Sequence, residues 1–160
     1  MLTVSAGAAM ADSSDVLAAY QGDWRGRGEA RPNPQSKPMR VSCKISATFD
    51  SARAALFNTG RCGTTQGTRK LDGSVVASGD ALSGDLFGNA ATPAGVTNQK
   101  LSIKDGMIVS EGEMETSGKV LKLRTFLTPP KDGAFLMQSQ FYDWSKKDWV
   151  VVGEIEFHRQ

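Results

Sequence analysis

Between Arg40 and Asp50 apolar and polar residues alternate along the chain. Val41, Cys43, Ile45, Ala47 and Phe49 fall on one side, and Arg40, Ser42, Lys44, Ser46 and Asp50 on the other. A period of two is the period of a β-strand with one face buried. Shorter runs of this kind recur to the end of the chain, and after residue 21 no segment has helical periodicity of useful length. Strands joined by short turns pair with their sequence neighbours, and the result is an antiparallel meander. A sheet of about eight or more such strands curls shut and so loses its exposed edges. The expected fold is therefore all-β, an up-and-down barrel of about 8–10 antiparallel strands after a short N-terminal helical turn. A β-sandwich is the alternative.

The punctuation can be read residue by residue. Val16 to Tyr20 is the helical turn, with Ser13 or Ser14 to cap it and Gly22 to end it. Gly22 to Arg31 is the first strand. Pro32 to Pro38 is a loop, because its prolines cannot supply ladder donors. Lys70-Leu71-Asp72-Gly73-Ser74 and Ser78-Gly79-Asp80 have turn composition, Ala81 to Phe87 is a strand, and Gly88 to Asn98 reads as a loop. Asp105-Gly106 between alternating runs is a type I′ hairpin signal. Ser117-Gly118, Pro129 to Gly133 and Ser145 to Lys147 separate the last three strands.

Cys43 and Cys62 lie on the strands either side of the turn at Asp50 to Arg53. A hairpin centred between Ala52 and Arg53 sets Cys43 directly opposite Cys62, and Phe49 opposite Leu56. Directly opposed Cα atoms are ~4.5–5.5 Å apart, within disulfide range. A cross-strand disulfide is expected, which suits an oxidising compartment; two buried free thiols are the alternative. Met1 to Ala11 carries no charge and ends Ala9-Met10-Ala11 before Asp12. Small residues at the last and third-last positions are what a signal peptidase accepts. Residues 1–11 are read as a signal-peptide remnant, residues 12–160 as the barrel domain, and the protein as periplasmic or secreted.

Composition removes several classes of function. A chain of 160 residues is the size of one domain. The net charge of +2 is too small to argue for nucleic acid or an anionic membrane, so no nucleic-acid partner is expected. One His and two Cys exclude His-rich and Cys-rich metal sites; no metal and no cofactor are expected. No apolar run approaches the ~20 residues of a membrane span. His158 is the only candidate general base, and no G-x-S-x-G elbow accompanies it. Gly26-Arg27-Gly28 lacks the strand-to-helix setting of a phosphate loop. Glu111, Glu113 and Glu115 share one strand face, which reads as solvated rather than as an acidic pair or calcium site. Trp144 and Trp149 flank Lys146 and Lys147 and read as a hairpin rim. On these grounds the protein is expected not to be an enzyme.

Alternation also sorts the interior. Inward faces are assigned to Phe135, Met137, Ser139 and Phe141, to Leu121, Leu123, Thr125 and Leu127, and to Trp149, Val151, Gly153, Ile155 and Phe157. Lys122, Arg124, Gln138, Gln140, Glu154 and Glu156 face out. The candidate ligand-lining residues are Ala47, Leu123, Thr125, Met137, Ser139, Phe141, Val151 and Gly153. A barrel of this size is either filled by side chains or holds one small ligand.

Gln21-Gly22-Asp23-Trp24-Arg25-Gly26 opens the first strand. Gly22-x-Trp24 after a short helical turn resembles the opening motif of the lipocalins and their calycin relatives. The resemblance implies that Trp24 plugs the closed barrel end, with Gly22 beside it and Arg159 packed over the ring as a cation–π pair. It also implies a secreted barrel that binds a small apolar or amphipathic ligand, with Pro32 to Pro38 over the open mouth. The family's Thr-Asp-Tyr motif is absent, Tyr142-Asp143 being a partial echo, and no long helix follows the barrel. A second resemblance is to small secreted bacterial barrels that inhibit proteases. It implies an envelope protein or protease as partner, met through loops or through residues 12–21 as a trunk.

Overall fold

The computed structural model describes residues 12–87 and 96–160. The signal-peptide reading of residues 1–11, and most of the loop expected at Gly88 to Asn98, lie outside the described residues. A short helix, α1 (Ser13–Ala18), precedes ten strands. These are β1 (Gly22–Ala30), β2 (Met39–Asp50), β3 (Ala55–Thr64), β4 (Gly67–Ser78), β5 (Ala81–Asp85), β6 (Val96–Lys104), β7 (Met107–Thr116), β8 (Lys119–Leu127), β9 (Ala134–Asp143) and β10 (Asp148–Arg159). Each pairs antiparallel with its sequence neighbours, and β1 pairs with β10 to close the ring. The barrel reading holds. The sandwich alternative falls, because one continuous ring replaces two facing sheets.

Local chemistry sets the turns. Asp105 and Gly106 both have positive φ, 52° and 75°, as do Ser117 and Gly118 at 53° and 73°. That is the type I′ requirement, and its twist matches the strands it joins. Lys70 to Ser74 is not a turn; β4 runs through it, and the chain reverses instead at Thr65-Gln66. Gly73 is there for space: a Cβ on it would lie 2.4 Å from the Asp85 carbonyl oxygen and 2.7 Å from Leu86 carbon. It marks a close backbone approach inside a strand. Asp12, rather than Ser13 or Ser14, takes the N-cap position of α1. The buried Ser13 hydroxyl instead donates to the Gly79 carbonyl.

One end of the barrel is closed. Leu17 of α1 is fully buried, and Tyr20 donates its hydroxyl to the carbonyls of Leu127 and Thr128 at 3.2 and 2.8 Å. Trp24 donates its ring N–H to the Tyr20 carbonyl at 2.8 Å and meets Phe135 edge-on at 4.8 Å. Phe135 in turn stacks on Phe157 at 4.8 Å. The Arg159 guanidinium lies 4.4 Å from the centre of the Trp24 ring, and it donates to the Gln21 and Ala19 carbonyls. The opposite end carries the 31–38 loop and the turns at 65–66, 117–118 and 144–147. Helix α1 and Trp24 lie at the other end, so this one is the mouth.

Strand β10 departs from plain alternation. A bulge between Val151 and Gly153 inserts one residue and shifts the register against β9. Val152 is buried at 7% exposure, whereas Val151 is 40% exposed. The inward assignment of Val151 and Trp149 is therefore wrong. An extra residue reverses the phase of everything on the mouth side of it.

Candidate functional site

Cys43 and Cys62 form a disulfide across β2 and β3, with Cα atoms 4.1 Å apart. The register is the one the hairpin geometry requires, and Phe49 faces Leu56. Cys43 is 1% exposed, so the bridge is turned into the barrel.

Toward the mouth, the inner wall changes character. Ser110, Thr125, Ser139 and Gly153 are successive cross-strand partners on β7, β8, β9 and β10. They make one lateral row along the inside of the wall. The Thr125 and Ser139 hydroxyls are 3.0 Å apart, and Gln99 donates to the Ser110 hydroxyl at 3.0 Å. Toward the closed end lies an apolar row, Ile108, Leu127, Met137 and Ile155. Toward the mouth lie Gly112, Leu123 and Phe141. Exposure does not follow these levels strictly: Met137 is half-buried, whereas Gly112 and Phe141 are buried. Ile108, Leu127 and Ile155 are at 0, 2 and 5%, while Ser110, Thr125, Ser139, Gly153 and Leu123 are all half-buried. The hydroxyl row is thus less deeply buried than Ile108, Leu127 and Ile155 beneath it.

Leu123, Thr125, Ser139, Phe141 and Gly153 therefore share one region, with Met137 on its floor. Val151 is outside. Ala47 is at the closed end, where it lines a void of about 10 Å³ with Trp24, Leu56 and Phe135. That void is too small for an organic ligand. Ser110, Gly112 and Gln99 were not among the sequence candidates. The signal for the first two is the alternation Ser110-Glu111-Gly112-Glu113, in which outward glutamates imply inward Ser and Gly.

The remaining sequence candidates sit on the exterior. Glu111 faces Lys100 and Arg124 across the strands and meets Lys104 at 3.8 Å. Among the described residues no group of His, Cys, Asp and Glu could hold a metal ion. His158 reaches Glu156 at 3.1 Å with both side chains exposed. Trp149 pairs with Tyr142, whose ring meets Trp144 at 4.7 Å and Trp149 at 5.3 Å. The Arg124 guanidinium covers Trp149 at 3.9 Å, where burial lowers its pKa against the opposing pull of Glu111 and Asp148. These rings bind three strands together near the mouth. Among the described residues no helix is long and apolar enough to cross a membrane.

No family model matches the chain, and no curated protein matches it in sequence. Solved structures do resemble it. An S-type phycobiliprotein lyase CPES from Guillardia theta superposes with a TM-score of 0.63 at 11% identity, covering 94% of this chain and 93% of the lyase. A DUF3598-family protein of unknown function from Nostoc punctiforme gives 0.55 at 13% identity, over 90% of this chain and 49% of the other. Rv2717c from M. tuberculosis gives 0.54 at 14% identity, over 94% of this chain and 99% of the other. The chain shares the barrel fold of these structures. The expectation of a non-enzymatic protein does not stand, because a similar barrel carries the name of a lyase. The missing His base and serine elbow exclude particular hydrolytic mechanisms only, and a fold does not decide between binding and catalysis.

Proposed function

We propose that this calycin-like barrel takes up one small apolar or amphipathic molecule in the mouth-side half of its interior. The observation that carries the reading is the half-buried row Ser110, Thr125, Ser139 and Gly153 above the apolar row Ile108, Leu127, Met137 and Ile155. Hydroxyls set in an apolar cup orient a ligand whose body is apolar and whose edge is polar. Likeness to a phycobiliprotein lyase supports an interior used for function. The disulfide supports a periplasmic or secreted setting. No observation favours the trunk-type inhibitor. Residues 13–18 form a helix packed on the barrel rather than an extended arm.

The test is native mass spectrometry of the purified protein, followed by titration with the amphipathic dye 1-anilinonaphthalene-8-sulfonate. A single dye bound by the wild type, and lost in Ser139→Leu with an unchanged fold, is the expected result. Equal dye binding by Ser139→Leu would place the dye outside the barrel and sink the reading.

A further inference from the structure

The exterior of β1 to β4 carries a row of cations set directly opposite one another. Arg25 pairs with Lys44, Lys44 with Arg61, and Arg61 with Lys70. Strands lie ~4.8 Å apart, so the row runs about 14 Å across the wall. Like charges directly opposite on a sheet are destabilising. The structure does nothing to relieve them: none of these four residues is in an ion pair among the described residues. The Arg25 Nε is shut off from water and has no hydrogen-bond partner, an unmet donor within the row. The near-neutral net charge conceals this asymmetry.

The row lies in an open groove of about 850 Å³. Small side chains flank it. Ser46 and Thr59 lie on the closed-end side, and Ser42 and Gly63 on the mouth side. Acidic groups stand only at the edges. Asp23, which accepts from the Ser46 hydroxyl at 2.5 Å, is at one end of the next row, and Asp72 is at the other. The centre thus offers cations and hydroxyls: Trp24 borders it but its ring is 2% exposed, and the exposed Phe57 ring stands beyond Thr59 on the same strand. Single-stranded nucleic acid is held largely by base stacking on aromatic rings.

We infer that this face binds an extended oligo-oxyanion, a chain of phosphate or sulfate groups on a non-aromatic backbone, with one anionic group to each strand crossed. This site is separate from the interior, and its test does not depend on the interior binding anything. The probes are fluorescein-labelled inorganic polyphosphate, a labelled sulfated oligosaccharide and labelled single-stranded DNA of matched charge, read by anisotropy over a salt series. The variants are the triple change Lys44→Gln, Arg61→Gln, Lys70→Gln, and the distant control Lys131→Gln. The expected result is binding of the phosphate or the sulfate chain, whichever of the two is stronger naming the source. The slope of log Kd against log salt should be about 3, as contact with roughly four anionic groups implies. The triple variant should bind more than tenfold more weakly, the control equally well. The thermal midpoint of the ligand-free triple variant should be equal or higher, because repulsion has been removed. Equal binding by the triple variant, stronger binding of the DNA, no binding of any probe, or a lower midpoint in the triple variant would each overturn the inference.

Discussion

Trp24 is gripped from three directions: by the Tyr20 carbonyl at its ring N–H, by Phe135 at its edge and by Arg159 over its face. At 2% exposure it has no room to move aside. Trp24→Ala should lower stability by ~3–5 kcal/mol, as other large-to-small aromatic core changes do. An unchanged denaturant midpoint would show that the ring is not a plug. Tyr20 makes a pH prediction. Burial pushes its phenol well above the ordinary tyrosine range, so the folded state favours the neutral form. The sign follows: this contribution is intact below the unfolded value of ~10 and is lost as pH climbs above it. Urea midpoints between pH 8 and 11 should fall less steeply in Tyr20→Phe than in the wild type. The variant should also lose ~1 kcal/mol at neutral pH with the two hydrogen bonds. Trp24 and Arg159 are legible as a pair because a motif and a terminal position mark them. Ala47 is misread because alternation says which wall a residue faces, not how far along the barrel it sits.

At the scale of elements, the β2–β3 hairpin shows how far the sequence can be read. Unbroken alternation plus one turn fixes its whole register, down to Cys43 opposite Cys62. The bridge should contribute ~3 kcal/mol by restricting the unfolded chain. Thiol titration of the unreduced, urea-unfolded protein should find no free thiol. The double change Cys43→Ala, Cys62→Ala should lower the folding free energy by about that amount without altering the far-ultraviolet spectrum. Strand β4 resists reading for a definite reason. Asp72-Gly73 looks like a turn locally, but Gly73 serves a neighbour distant in sequence, the chain leaving β5. The β10 bulge is hidden as well, because Trp-Val-Val-Val-Gly offers several phases of equal quality and only pairing with β9 chooses one.

At the scale of the molecule, closure was legible and capacity was not. An antiparallel ring of about 8–10 strands follows from turn count and strand length, whereas the half-buried hydroxyl row depends on where small residues from four strands meet. The 31–38 loop lies at the mouth, and the Arg31 guanidinium ties it down by donating to the carbonyls of Pro34 at 3.0 Å and Val151 at 2.9 Å. Excising Asn33 to Lys37 should leave the denaturation midpoint nearly unchanged, since loop closure entropy varies by only ~0.6 kcal/mol per doubling of length. It should change the affinity of dye for the interior. If instead the barrel weakens while dye affinity holds, the loop is a brace. The β1–β10 seam has a consequence for how the protein comes into being. Trp24 faces Arg159 there, so the ring is completed by segments far apart in the sequence. A nascent polypeptide leaving the ribosome would present β1 as a bare edge until β10 emerges, and bare edges recruit other chains. The interval between the appearance of those two strands is therefore the period in which this protein is most exposed to misassembly, and a holding chaperone would act during it.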